Sequence, residues 1–209
     1  MITSYEEMSV GIFMEVKDIL MDKTTSELEK RVRLLAILNN KSEEEIMGIP
    51  ISKLTSMVSS MEFLSQQPKT KTPPNEITLN GNVYEIKYDV QNITTAQYID
   101  FQTFIKDYDK YMVELASIVI IPKGKKYNEG YDIVAVQRDI RDYMSIVDLS
   151  SVCFFFVQLY KGLMGSLASY SIRQMKKMMR REKNKVLKIK IGRTIVQMKQ
   201  LMEEMPING

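Results

Sequence analysis

Paired carboxylates, a thiol, a Gly-Lys loop and a dense run of cations are the residues whose types and spacing could do chemistry in this chain. Asp107 with Asp109 and Asp139 with Asp142 stand close in sequence, as an acid and base pair would. Helical surfaces are rich in such residues, however, and nothing in the sequence marks one of the four as buried and the other as solvated. No serine sits in a nucleophile elbow, and the chain contains no histidine, so an imidazole base, a His-ligated metal and the usual pH switch are all excluded. The one cysteine, Cys153, lies in the apolar run Val152-Cys153-Phe154-Phe155-Phe156-Val157, where it reads as a small buried hydrophobe; a reactive thiol wants a basic, partly exposed setting. A lone cysteine makes no intramolecular disulfide, which fits an intracellular protein.

Gly124-Lys125 suggests a phosphate loop, but the spacing of the nucleotide-binding signature is absent and no suitable Ser or Thr follows the lysine. Glu43, Glu44 and Glu45 follow Ser42 directly, so they read as the first turn of a capped helix rather than a cation site, whose ligands would be spread around a glycine turn. The expectation is a protein without catalytic residues, metal or cofactor.

The cations are the strongest signal. Arg173, Lys176, Lys177, Arg180, Arg181, Lys183, Lys185, Lys188, Lys190 and Arg193 stand against Glu182 alone, a local charge of +9 in a chain whose net charge is +3, which leaves −6 for the remainder. The chain is therefore an acidic body with a basic C-terminal arm. Such an arm can contact phosphates with a steep salt dependence, yet no aromatic residue for base stacking occurs beyond Ile172. Met175, Met178, Met179, Met198, Met202 and Met205 run through the same region, and flexible thioethers suit a surface that grips another helix. Met175, Lys176, Lys177, Met178, Met179, Arg180, Arg181, Lys183, Lys185 and Lys188 are accordingly the candidate partner-binding residues.

The elements that must position these residues are mainly helical. Apolar residues three and four apart predict a helix from about Ser9 to Leu20 and another from about Ser26 to Leu38. Pro50 interrupts the third, and helical period resumes over 52–64. Residues 65–74 hold Pro68, Pro73 and Pro74 among Lys and Thr, so 65–76 reads as a stiff, wet linker. Residues 77–88 alternate about Asn80-Gly81, the strongest short-range hairpin signal. An isolated hairpin is marginal in water, so Asn80 and Gly81 mark a second candidate partner-binding edge.

A helical stretch is expected from about Thr94 to Ile121, a short amphipathic helix over 133–144, and a long final helix that begins near Ser145, is apolar over 147–167 and continues into the basic arm. The apolar half followed by cations resembles a membrane span with its flank, but Gln158, Lys161, Gly162 and Gly165 interrupt it, and a buried core helix accounts for the same residues. Ser9, Phe13, Val16, Ile19 and Leu20 are echoed 85 residues later by Thr94, Tyr98, Phe101, Phe104 and Ile105, and Leu34 and Leu35 by Val119 and Ile120. The expected architecture is a mainly α helical bundle with two related helical units, one β-hairpin and a long C-terminal helix, divided as 1–64, the linker, 77–170 and the arm 171–209. The opening residues 1–7 have neither a basic n-region nor a long apolar run, so cytoplasmic synthesis is expected.

The opening residues 2–8 (ITSYEEM), the hairpin residues 77–86 (ITLNGNVYEI), residues 93–101 (ITTAQYIDF) and residues 122–131 (PKGKKYNEGY) together resemble proteins encoded among the virion genes of tailed bacteriophages of gut Bacteroidetes. The resemblance covers most of the chain but contains no mechanistic motif. It implies a tail assembly chaperone, a helical protein that keeps the tape-measure protein soluble and recruits tail subunits. The alternative is a structural piece of the virion such as a connector, tail ring or packaged cargo protein. Its implied partners are other phage tail or virion proteins, with homo-oligomers also open. Its implied place is the host cytoplasm during assembly, or the virion. Nucleic acid held by the basic arm is the rival partner, and a membrane the least favoured one.

Overall fold

The computed structural model describes the backbone of residues 1–203 and the side chains of residues 1–200. The chain is mainly α-helical, and hydroxyl caps start its first helices. Ser9 accepts from the Ile12 amide at the head of α1 (Val10–Met21), and Ser26 from the Glu29 amide at the head of α2 (Glu27–Asn39). In α3 (Glu43–Met47) the acidic run does start a helix: Ser42 accepts from the Glu45 amide at 3.2 Å, while the Glu45 carboxylate accepts from the Ser42 amide at 2.9 Å, a closed capping box. After Pro50 comes α4 (Ile51–Ser59).

The hairpin forms as expected. β1 (Glu76–Leu79) pairs antiparallel with β2 (Asn82–Ile86), and Asn80 and Gly81 both take positive φ, +50° and +76°, as a two-residue turn matched to strand twist requires. The sheet has a third member. β3 (Ile120–Pro122) pairs antiparallel with β2, placing Ile86 opposite Ile120, so the strand order is β1-β2-β3.

This strand corrects the expected helix over 94–121. The stretch divides into α5 (Thr95–Phe104), a 3-10 turn over Ile105–Asp107, α6 (Met112–Ser117) and β3. Ile118, Val119, Ile120 and Ile121 are all buried; Ile118 and Val119 make the turn out of α6, and Ile120 and Ile121, covered on both faces, are better served by a strand than by a helix with one solvated side. The echo at 85 residues holds only for its first helix. Thr94 caps α5 as Ser9 caps α1, and Val16 and Phe101 are both buried, but Leu34 and Leu35 lie in α2 while Ile120 lies in a strand. The second helices do not correspond.

The chain continues through α7 (Ile133–Tyr143), α8 (Ile146–Arg181) and α9 (Lys185–Glu203). Ser145 caps α8, accepting from the Asp148 amide at 3.0 Å. A single long final helix is not formed: it breaks at Glu182, Lys183 and Asn184. Asn184 starts α9 afresh, its side-chain oxygen accepting from the Val186 and Leu187 amides at 2.9 and 3.3 Å.

Met1–Asp89 and Ile93–Phe155 form one compact unit; Val90–Asn92 and the residues from Phe156 onward form a second. The first unit's core gathers Met8, Leu35, Ile46, Leu115, Ile140, Met144 and Leu149, each fully buried or nearly so. Its N-terminus is stitched to the start of α8, since the Val10 amide donates to Met144 and the Ile146 amide to Met8. The proline-rich stretch lies inside this unit, not between compact bodies. The Lys71 amide donates to Ser151 Oγ at 2.9 Å, Lys71 Nζ pairs with Asp148 at 2.8 Å, and Tyr88 donates to the Pro74 carbonyl.

Candidate partner-binding surface

In the second unit the cations of α8 occupy one face. Arg173, Lys176, Lys177, Arg180 and Arg181 recur at steps of three and four, so they stack along one side of the helix, and all five are exposed. Ile172 is buried, and Met175 and Met179, three and seven residues on, are partly buried with it. Met178 differs, being 54% exposed. The three methionines are therefore not one surface: Met178 faces solvent, whereas Met175 and Met179 belong to the side of the helix that Ile172 anchors. Lys183 stands in the break, and Lys185, Lys188, Lys190 and Arg193 are exposed on α9. None of the ten cations from Arg173 to Arg193 forms an ion pair among the described residues. Val186, Leu187, Ile189 and Val196 of α9 are large, apolar and exposed beside them. The side chain of Met202, and Met205 with the rest of 204–209, lie outside the described residues.

The other expected contact points, Asn80 and Gly81, belong to the first unit and have a neighbour of their own. Asp139 of α7 is buried, and its carboxylate accepts from Tyr84 Oη at 2.6 Å, from Asn82 Nδ2 at 3.0 Å and from Asn80 Nδ2 at 3.3 Å. Burial on its own raises the pKa of this carboxyl, but the donors from Tyr84, Asn82 and Asn80 together outweigh it and hold the group below the ordinary aspartate value. Tyr84 is pushed upward, first by burial and then by the carboxylate it serves. The side chain of Asn80 thus ties the turn to α7, while Gly81 is exposed.

Of the four paired carboxylates, none of which the sequence marked as buried, Asp139 alone is buried and Asp142 is exposed. Asp109 pairs with Lys17 at 3.4 Å across the surface, and Asp107 accepts from the Lys110 amide. Asn82 and Tyr84 lie two apart on β2 and so on one face of the strand. That alternation of polar groups was the available signal for a buried acceptor beneath them. Among the described residues, no three carboxylates or thiols gather closely enough to hold a metal ion.

Cys153 is buried, its thiol pushed up to about 12 by burial and directed at the Met112 carbonyl at 3.4 Å. Gly124 has a positive φ of +78° in the loop after β3. α8 is long and apolar enough to cross a membrane by length and composition, and half of its most apolar stretch is buried within the protein.

Comparison of the chain with protein-family models, with curated proteins and with solved structures found no match.

Proposed function

We propose that this chain is a non-catalytic protein of tailed-phage morphogenesis that works by holding other proteins through its C-terminal helices, in the manner of a tail assembly chaperone. The carrying observation is the surface of α8 and α9, where cations that form no ion pair among the described residues alternate with exposed Met178, Val186, Leu187, Ile189 and Val196. Exposed aliphatic groups clustered with cations along one helix are what a protein interface uses, whereas single ones scattered over a surface need no explanation. The sequence phrases that resemble phage virion-gene products support the phage setting. Mass spectrometry of purified particles, together with co-expression of the chain and the tail proteins of the same phage, tests the reading. An assembly chaperone is absent from finished particles and co-purifies with a tail protein during assembly. Presence in the particle at fixed copy number makes it a structural component instead.

The exposed cations over 173–193 favour one second reading, nucleic-acid binding. In that case the protein is retained on duplex DNA at low salt, retention fades steeply as salt rises, and the double change Lys183→Glu, Lys185→Glu abolishes it. Tight retention at physiological salt that depends on those two lysines alone would replace the protein-binding reading.

A further inference from the structure

Helix α9 carries two apolar stripes. Ile191, Ile195 and Met198 lie on one side, where Ile195 is buried and the other two are partly buried. On the opposite side Val186, Ile189, Arg193, Val196 and Gln200 follow one another at alternating steps of three and four, the a and d positions of two successive heptads and the first a position of a third. This second stripe is bare: Val186 is 64% exposed, Ile189 57% and Val196 55%, and Arg193 and Gln200 are exposed between and after them. The positions that flank such a seam hold Lys185, Lys190, Gly192, Gln197 and Lys199, with no carboxylate among them.

We propose that this face of α9 is a docking seam for one helix of a different protein, whose apolar stripe is bordered by Glu or Asp and bears a carboxylate opposite Arg193. The proposal rests on the protein-binding reading above and names the chemistry of the partner. Charge chooses among the occupants. A second copy of this chain docked through the same face sets Lys185 against Lys190 on both flanks and Arg193 against Arg193 when parallel, and when antiparallel seats Arg193 opposite an aliphatic side chain with no carboxylate in the described seam to receive it, so like charge opposes the first arrangement and an unmatched guanidinium the second. An anionic bilayer would take the lysines but would have to bury the Arg193 guanidinium in the middle of an apolar strip of only three side chains. Duplex DNA offers phosphates and leaves Val186, Ile189 and Val196 without a neighbour. An acidic amphipathic helix satisfies all three features: apolar knobs for the valines and isoleucine, carboxylates for the flanking lysines, and a bidentate acceptor for Arg193. The described seam runs over 186–200, about 22 Å at the helical rise, so affinity is modest and depends strongly on the charged flank.

The test uses the full chain and two synthetic helical peptides of about four heptads each, leucine at a and d with one central Asp, differing only in Glu or Lys at the flanking positions. Fluorescence anisotropy at about 150 mM salt is expected to show binding of the Glu peptide at least about tenfold tighter than of the Lys peptide. The exposed changes Ile189→Ser and Val196→Ser should weaken that binding by about tenfold or more while circular dichroism stays unchanged. Lys185→Glu, Lys190→Glu and Lys199→Glu together should move the preference to the Lys peptide, a gain that misfolding cannot imitate. Absence of binding, equal binding of both peptides, or indifference to the Ile189 and Val196 changes overturns the proposal. So does self-association of the chain that Ile189→Ser abolishes, or binding to phosphatidylglycerol vesicles that survives Arg193→Glu. If a tail protein still co-purifies with the Ile189→Ser, Val196→Ser chain, the seam is wrong and the protein-binding reading stands; if no protein partner is held at all and DNA is, that reading falls as well.

Discussion

Asp139 stays ionised inside the fold because three side chains donate to it, and each of the three comes from the hairpin turn or the strand after it. An isostere that cannot accept as many bonds exposes the cost. Asp139→Asn turns an acceptor-only group into one with an NH2 facing the Asn80 and Asn82 amides, and urea unfolding should show a loss of about 1–3 kcal/mol at neutral pH. The pH dependence follows from the sign of the shift. The folded carboxyl titrates below its unfolded value of about 3.9, so as pH falls the unfolded chain takes up the proton first. The stabilisation is complete above the unfolded value and is lost as pH falls through the folded one, so the gap between native protein and Asp139→Asn should close in acid. A gap that stays constant from pH 7 to pH 3 would show that ionisation is not what the donors sustain. In the sequence Asp139 looked like one more surface carboxylate of an amphipathic helix. Its partners lie more than fifty residues away along the chain, a separation that helical periodicity does not register.

At the scale of elements, local chemistry was legible wherever it was self-sufficient. Ser9, Ser26, Ser42 and Ser145 each satisfy a backbone amide within their own first turn, and Asn80-Gly81 sets its own turn geometry, so each could be placed from neighbouring residues alone. Residues 118–121 could not. Four consecutive β-branched residues suit a helix or a strand equally by pattern, and the choice falls to β2, which offers an open edge to β3. The break before α9 is a local feature of the same kind as the caps, but it hides inside a run whose cations read as continuous helix. Asn184→Ala removes the acceptor for the Val186 and Leu187 amides and should destabilise the start of α9 by about 1 kcal/mol. Hydrogen exchange should then quicken at Val186 and Leu187 and not in α1 or α2. Uniform quickening would mean that the cap supports more than its own helix.

At the scale of the molecule, the cations of 173–193 are segregated from an acidic remainder, and the candidate surface was half legible for that reason: composition locates the charge, but only the helix register separates Met178 from Met175 and Met179. Exposed charge governs encounter more than residence. Reversing Lys176 and Lys177 to Glu should therefore slow association with an acidic partner protein several-fold while changing dissociation little, a split that stopped-flow measurements would resolve; an effect confined to dissociation would place those lysines inside the interface. The sealed thiol of Cys153 has another consequence. It is the chain's single sulfhydryl, it sits in the core of the first unit, and burial keeps it protonated at neutral pH. Alkylation in a native solution then requires that this core open, so the native protein contains its own clock for that event: the labelling rate with a small maleimide, followed by intact mass, measures how often the first unit breathes, with no reporter to engineer and no second site to confuse the count.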